Sequence, residues 1–381
     1  MTTARDESRQ SWIPILSAPI RRTIKPPSTV TQNRFIQDVS RSCSCHWYHF
    51  LGTYTALAFL EAGYTVKGTA RSAAKAADWI NHFPQFKTSY QSAVVADFVA
   101  PGAFDDAVRG CDIIAHVASP NNPKIEDNER DCLLPAINGT RSLLASTKLE
   151  PRIRSVVFTS TLATVVETAK LGSIPGKVYN ENDWNSSTYE QAKASTDFSF
   201  TYGASKTLAE RAFWDFIETE KPTWAGSAIL PCAVFDAPIQ PLSSLADLNR
   251  SVSFLWQIAS GKFKDGLSLA QRHTFYVSAR DVALANLRAA EREQARNGRY
   301  IVVGGNFTSD ELVDIIYRRF PALKDNLPPL NKPDALVKGS QTQFDVSKIE
   351  KDLKIQWMPF EQVVVDAIGG VIELDKKLKQ T

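Results

Sequence analysis

The sequence predicts an α/β protein, a doubly wound parallel sheet with a smaller C-terminal lobe. Two observations carry this. From Thr53 to about Phe235, short apolar runs of strand character alternate with helical segments at the spacing of right-handed βαβ crossovers. One run, "CDIIAHVAS", is continuously apolar, as in a strand covered on both faces. Beyond residue 236 the alternation loosens, and 381 residues is more than one ordinary domain requires.

"TYTALAFLEAG" reads as a helix closed by Gly63, and "YTVKGTA" as the strand after it. "SAVVADF" is a strand, "GAFDDAVRG" a short helix, and "CLLPAINGTRSLLASTK" a longer helix interrupted by Pro135. "IRSVVFTST" is the next strand. Residues 165–200 are a polar excursion, followed by the amphipathic helix "FTYGASKTLAERAFWDFIE" and a sixth strand, "WAGSAILPCAVF". Residues 1–32 are polar and hold Pro14, Pro19, Pro26 and Pro27, which predicts an ill-ordered tail. The expected organisation is this tail, a dinucleotide-binding Rossmann-like domain over 33–235, and a mainly substrate-binding lobe over 236–381. Some segments of the lobe return to the sheet.

Hydrophobic content of 43% and charged content of 22% suit a chain with a sizeable core. The net charge of +3 offers no argument for a nucleic-acid partner, because residues 1–45 hold seven Lys/Arg against three Asp/Glu and so carry the whole surplus. Five scattered cysteines (Cys43, Cys45, Cys111, Cys132 and Cys232) fit a reducing compartment better than a disulfide framework. No apolar run approaches the roughly 20 residues of a membrane span. Arg5, Arg9, Arg21 and Arg22 give a faint presequence character that Asp6 and Glu7 oppose. The expected location is cytoplasmic, as a monomer or homodimer.

The chemistry concentrates in "TYGASKTLAE". Tyr202 and Lys206 lie four apart on one helix face, so an ammonium can stand beside a phenol and favour its ionised form. Such a phenol can protonate a ketone oxygen as hydride arrives. The spacing alone is weak, since Tyr189 and Lys193 repeat it in "TYEQAK", where a solvated loop is the plain reading. Around Tyr202 the small residues Gly203, Ala204 and Ser205 leave room for a ligand. Upstream, "VVFTSTLATV" is an apolar strand ending in Thr159, Ser160 and Thr161, at the sheet edge where ligands bind; hydroxyls also simply end strands. At the end of the second strand, "GTARSAAK" has no acid for a ribose 2′-hydroxyl. Arg71, with Lys75 a turn later, suits a 2′-phosphate instead, which favours NADP(H). No metal is expected to serve the chemistry. Trp184, Phe254, Trp256, Phe263, Phe275 and Tyr276 are candidates for an apolar pocket or for ordinary core.

From about Phe50 to Leu378 the chain resembles an extended short-chain dehydrogenase/reductase, and within it the dihydroflavonol-reductase-like group with its fungal aldehyde and ketone reductases. "FLGTYTALAFLEAGYTVKGTARS", "HVASP", "VVFTSTLATV", "YGASKTLAE", "LPCAVF" and "HTFYVSARDVA" carry the resemblance. It implies a triad of Tyr202 as acid–base group, Lys206 as the ribose contact that lowers the phenol's pKa, and Thr161 as the orienting hydroxyl, with Ser160 as the fallback. It further implies cofactor contacts at Gly52, at Asp97 and Phe98 beside the adenine, at Val117, Ala118 and Ser119, and from Pro231 to Val234. The implied reaction is NADPH-dependent reduction of a small, hydrophobic aldehyde or ketone. A catalytically silent binding protein on the same fold and an NAD-bound epimerase or dehydratase are the alternatives, the latter disfavoured by Arg71.

One stretch departs from the pattern. Counting back three and six from Gly52, the glycines of the family's first turn fall at His49 and His46. Side chains there obstruct the close backbone approach that a pyrophosphate needs. The preceding "NRFIQDVSRSCSC" is also not the apolar run of a central strand. Three readings compete. Cys43, Cys45, His46 and His49 as a zinc site are cramped within seven residues. The second reading is a divergent protein that keeps the fold and has lost its cofactor. Or the residues before Phe50 are not the fold's natural start, as when an exon boundary is misplaced.

Overall fold

Strands with no polar face need helices on both sides and partners on both edges, and the alternating segments supply them. The computed structural model describes residues 42–46, 50–117, 125–167, 170, 174, 176–267, 275–329 and 342–380. The first half runs β1 (Ser42–His46), α1 (Phe50–Glu61), β2 (Thr65–Ala70), α2 (Ala73–His82), β3 (Tyr90–Val94), α3 (Asp105–Val108), β4 (Ile113–His116), α4 (Leu134–Thr147) and β5 (Ser155–Thr159). Then follow β6 (Val178–Tyr179), α5 (Tyr189–Lys193), α6 (Phe198–Glu220), β7 (Ala225–Pro231) and β8 (Ala233–Phe235). The remainder is α7 (Arg250–Ala259), β9 (Phe275–Ser278), α8 (Ala279–Glu291), β10 (Gly298–Val302), β11 (Gly305–Asn306), α9 (Ser309–Arg319), β12 (Gln343–Phe344), α10 (Ser347–Leu353) and α11 (Phe360–Leu378).

Seven parallel strands form the main sheet in the order β10-β7-β5-β4-β1-β2-β3. The order reverses direction between β1 and β4, which opens a crevice at the carboxyl ends of the strands. One face is packed by residues of α1, α2, α8 and α10, among them Phe59, Trp79, Ala285 and Ile349. The other is packed by α3, α4 and α6, where Phe158 and Phe213 stack at 5.2 Å and Phe213 lies 6.3 Å from Trp224. Gly226 of β7 makes that approach possible, since a β-carbon there would meet the Phe213 ring at 2.7 Å. Ser40–Thr381 form one compact unit; residues 1–32 lie outside the described residues.

Four expectations change. First, Ser42–His46 is a central strand despite its polar sequence, paired in parallel with β2 and β4 and with His46 level with Thr69. Backbone groups flanked by two strands are satisfied whatever side chains they carry, so ladder pairing overrides a weak pattern. Second, the interruption at Pro135 is a change of pitch and not a break. Pro135 is the second residue of α4, directly after a π-helical turn over Glu129–Leu133, in one continuous helical run. Third, the sixth strand is two. The chain leaves the main sheet after Pro231, and β8 pairs with β9 in a small β11-β9-β8 sheet of the C-terminal lobe. Fourth, Tyr189–Lys193 is a capped helix and not a solvated loop. Thr188 and Gln191 form its capping box, and the Tyr189 hydroxyl donates to Glu129 at 2.6 Å.

The lobe's core gathers Phe235, Leu255, Tyr276, Phe307 and Ile316. Phe275 and Tyr276 are buried core residues, and Phe254, Trp256 and Phe263 pack against that cluster. Trp184 is engaged by the Arg299 guanidinium, 3.7 Å from its ring centre.

Candidate active site

The carboxyl ends of β2, β3, β4, β5 and β7 bring most of the predicted residues to one sheet edge. β5 ends at Thr159, and the chain turns through Ser160 and Thr161 into a 3-10 turn over Leu162–Thr164. Thr161 caps that turn, its Oγ1 accepting from the Ala163 N–H at 3.4 Å, and its hydroxyl reaches the Pro231 carbonyl at the end of β7, also at 3.4 Å. The Thr161 side chain also lies close enough to the Tyr202 phenol to favour its ionised form. Ser160 cannot share this position, because its hydroxyl is buried and donates to Glu210 at 2.6 Å. The geometry therefore separates the two candidate hydroxyls, and Thr161 is the one beside the phenol.

α6 carries Tyr202 and Lys206. Asp197 caps its start by accepting from the Ser199 N–H at 2.8 Å, and Lys221 ends it in the left-handed conformation. Tyr202 is half-buried, with Phe198 stacked at 6.2 Å and Arg250 of α7 close enough to act on it electrostatically. Burial pushes the phenol up to about 12; nearby Cys132 adds to this, while Arg250 and the Thr161 side chain oppose it. The expectation that Lys206 lowers this pKa is not met here. Lys206 is only 2% exposed, donates to the Thr159 carbonyl at 3.1 Å and lies 4.8 Å from the Phe158 ring centre. Burial pulls the ammonium down to about 8 against the upward effect of Glu210, so it is a weakened cation.

The small residues after Tyr202 serve packing as much as access. Gly203, Ala204 and Ser205 are all buried. A β-carbon at Gly203 would rest 3.5 Å from Ala163 and from Asn185, which donates to the Ala163 carbonyl at 2.8 Å. The Ser205 hydroxyl donates to the Tyr202 carbonyl at 2.8 Å and lies near Cys132 of the π-turn. Their size lets two loops close on the helix.

The remaining predicted residues fall as follows. Gly52 is buried in the first turn of α1. Arg71 is exposed just past β2, next to Ser72, which caps α2 by accepting from the Lys75 N–H at 3.3 Å. Asp97 and Phe98 follow β3; Asp97 accepts from the Val99 N–H at 3.1 Å, and the Phe98 ring packs where any side chain at Gly139 would collide. Val117 is half-buried past β4, Pro231 ends β7, and Val234 is half-buried on β8. Ala118, Ser119 and His49 lie outside the described residues, as do the side chains of Cys43, Cys45 and His46. Among the described residues, no cluster of His, Cys, Asp or Glu is placed to hold a metal, and no helix is long and apolar enough to cross a membrane.

Sequence reasoning missed Glu210, Arg299 and Asn286. Glu210 continues the Tyr202–Lys206 spacing by four more residues, a signal that was available. Arg299 and Asn286 are distant in the chain. Asn286 links α1 to β5, accepting from Thr159 at 3.1 Å and donating to Thr55 at 3.3 Å.

A phenol, an ammonium and a hydroxyl converging at the carboxyl edge of a doubly wound parallel sheet define a Rossmann-fold oxidoreductase. The 3-beta hydroxysteroid dehydrogenase/isomerase family model matches residues 49–233. The chain is 34% identical over 329 residues to the ketoreductase azaE of Aspergillus niger, covering 85% of this chain and 95% of that one. It is 29% identical to the NADPH-dependent methylglyoxal reductase GRE2 of Saccharomyces cerevisiae, covering 86% and 97%. The crystal structure of yeast methylglyoxal/isovaleraldehyde reductase Gre2 complexed with NADPH superimposes with a TM-score of 0.81 at 28% identity, over 88% of this chain and 99% of that one. The chain belongs to the extended short-chain dehydrogenase/reductase family. The family match begins at residue 49, at the same place where the sequence itself starts to look family-like.

The buried ammonium has a measurable signature. With Lys206 at about 8 in the folded protein and 10.5 ordinarily, the unfolded chain binds a proton between these values that the folded chain has released. Stability from this group therefore rises with pH across that window. Urea unfolding of the parent and of Lys206→Met from pH 7.5 to 10.5 should show that increment in the parent only; parallel curves would contradict the depressed value.

Proposed function

We propose that the protein reduces a hydrophobic aldehyde or ketone to its alcohol with NADPH as the hydride donor. The observation that carries this reading is the placement of the Thr161 hydroxyl beside the Tyr202 phenol, one helical turn from Lys206 at the sheet edge. A phenol held up to about 12 keeps its proton at neutral pH and can give it to a carbonyl oxygen that is gaining electrons. Thr161 orients that oxygen, and Phe198, stacked on Tyr202, offers an apolar surface to the substrate's substituent.

The residues fit NADPH at both ends. Arg71 and Lys75 stand at the capped start of α2, where a 2′-phosphate meets a guanidinium fork and a helix N-terminus. Lys206, Pro231 and Val234 line the nicotinamide end. When bound, the cofactor supplies hydride to the carbonyl carbon. In the middle, three residues, Trp47 to His49, separate β1 from the helix that carries Gly52. That spacing suits a pyrophosphate, but the residues do not, because His46 and His49 replace the glycines that let backbone amides approach.

Replacing Tyr202 with Phe removes the proton donor with little change in packing. Assayed by NADPH consumption with a hydrophobic aldehyde, Tyr202→Phe should lose activity while staying folded, and activity within about twofold of the parent would refute the role. Arg71→Ala should weaken NADPH binding by roughly 10- to 150-fold, the loss of one charge-assisted contact, and barely affect NADH. Equal losses for both cofactors would count against a 2′-phosphate contact. The combined His46→Gly and His49→Gly variant should bind NADPH at least about tenfold more tightly than the unaltered chain in a fluorescence titration. Micromolar binding by the unaltered chain would show that the histidine-bearing turn works as it stands.

A further inference from the structure

Glu210 is fully buried and hydrogen-bonded through both carboxylate oxygens. Its carboxylate accepts from Ser160 at 2.6 Å, Thr164 at 2.7 Å, Trp214 at 3.3 Å and Arg299 Nε at 2.6 Å. Arg299, 8% exposed on β10, continues outward to the Thr164 hydroxyl at 3.2 Å and to the carbonyls of Glu181 and Asp183, and lies over the Trp184 ring. Replacing a buried ion pair of this kind by apolar side chains is often neutral or stabilising, so stability alone does not account for its place here. Its location does. Glu210 stands one helical turn beyond Lys206 and acts on it electrostatically, and two of its partners, Ser160 and Thr164, bracket Thr161.

We infer that Glu210, anchored by Arg299, is a positioning residue that keeps Lys206 charged and clamps the turn bearing Thr161 against α6. This role rests on the reductase reading of the site. The groups that face Lys206 among the described residues decide its charge between them. β5 gives the Thr159 carbonyl and the Phe158 ring, both without net charge. α6 gives Tyr202, which burial keeps protonated, and the Glu210 carboxylate. Cys132 of the π-turn, whose thiol burial pushes up, acts on Tyr202. Arg250 of α7 acts on Tyr202, and Arg299 of β10 reaches the set through Glu210. Glu210 is thus the negative charge that opposes the desolvation of Lys206, and Arg299 moderates it.

The charge of Lys206 can be read without cofactor, by titrating lysine labelled with carbon-13 at Cε and assigning its resonance by loss in Lys206→Met. Glu210→Gln should lower the Lys206 midpoint by about 1 pH unit or more, and Arg299→Gln should raise it, since the carboxylate is then no longer neutralised. The double variant Glu210→Gln with Arg299→Gln removes both members of the ion pair together and should also titrate lower, which keeps the test open if a single variant fails to fold. A midpoint unchanged in the double variant, or moving the same way in both single variants, would overturn the inference. Opposite shifts together with no NADPH turnover by the combined His46→Gly and His49→Gly variant would instead uphold the inference and refute the reductase reading.

Discussion

An ionised carboxylate taken out of water has to find several hydrogen-bond donors or it destabilises the fold, and this requirement organises the centre of the molecule. Glu210 draws its donors from three separate parts of the chain: the turn after β5, its own helix α6, and β10 at the far edge of the sheet. Meeting its needs fixes the height of α6 against the sheet. The residues proposed for the chemistry, Thr161 on the turn and Tyr202 and Lys206 on the helix, lie along that alignment. Stacking of Phe158, Phe213 and Trp224 behind the same helix, with Gly226 admitting the Phe213 ring, holds it from the other side.

Burial gives the phenol and the ammonium complementary properties. Both lose solvation, and loss of solvation favours the neutral form of each, so the phenol is pushed up to about 12 and the ammonium pulled down to about 8. A phenol that keeps its proton suits the reducing direction. A lysine poised near neutrality is sensitive to one neighbouring carboxylate, which is why the environment of Lys206 carries as much of the chemistry as its spacing from Tyr202.

The start of the fold shows a different division of labour. Ser42–His46 takes the central place of the sheet with a polar sequence because two neighbouring strands satisfy its backbone. The helix that follows, α1, buries Gly52 and most of its length against the core. Architecture at this point is therefore insensitive to side chains, whereas the turn between strand and helix is not: a phosphate is held by backbone amides at close range, and there the identity of residues 46 and 49 matters. A fold can tolerate what a binding turn cannot.

The alternation of apolar strands and helices, the Tyr202–Lys206 spacing, the strand-end hydroxyls and the basic end of β2 were all legible in the sequence, because each depends on local periodicity or on residues close along the chain. So was the family. Other features depended on tertiary contacts. The choice of Thr161 over Ser160 turned on which hydroxyl Glu210 had already engaged. Tyr189 was taken for a loop residue because its partner, Glu129, is 60 positions away. The split of the sixth strand at Cys232 followed from a second sheet whose other strands lie far downstream. Pairings across such distances leave no periodic trace, and burial, which sets the charge of Lys206, is a property of the packed molecule. The sequence by itself determined which chemical groups this protein brings to its sheet edge; only the tertiary structure decided which of them touch and in what state of charge, because desolvation and long-range pairing exist only once the chain has folded.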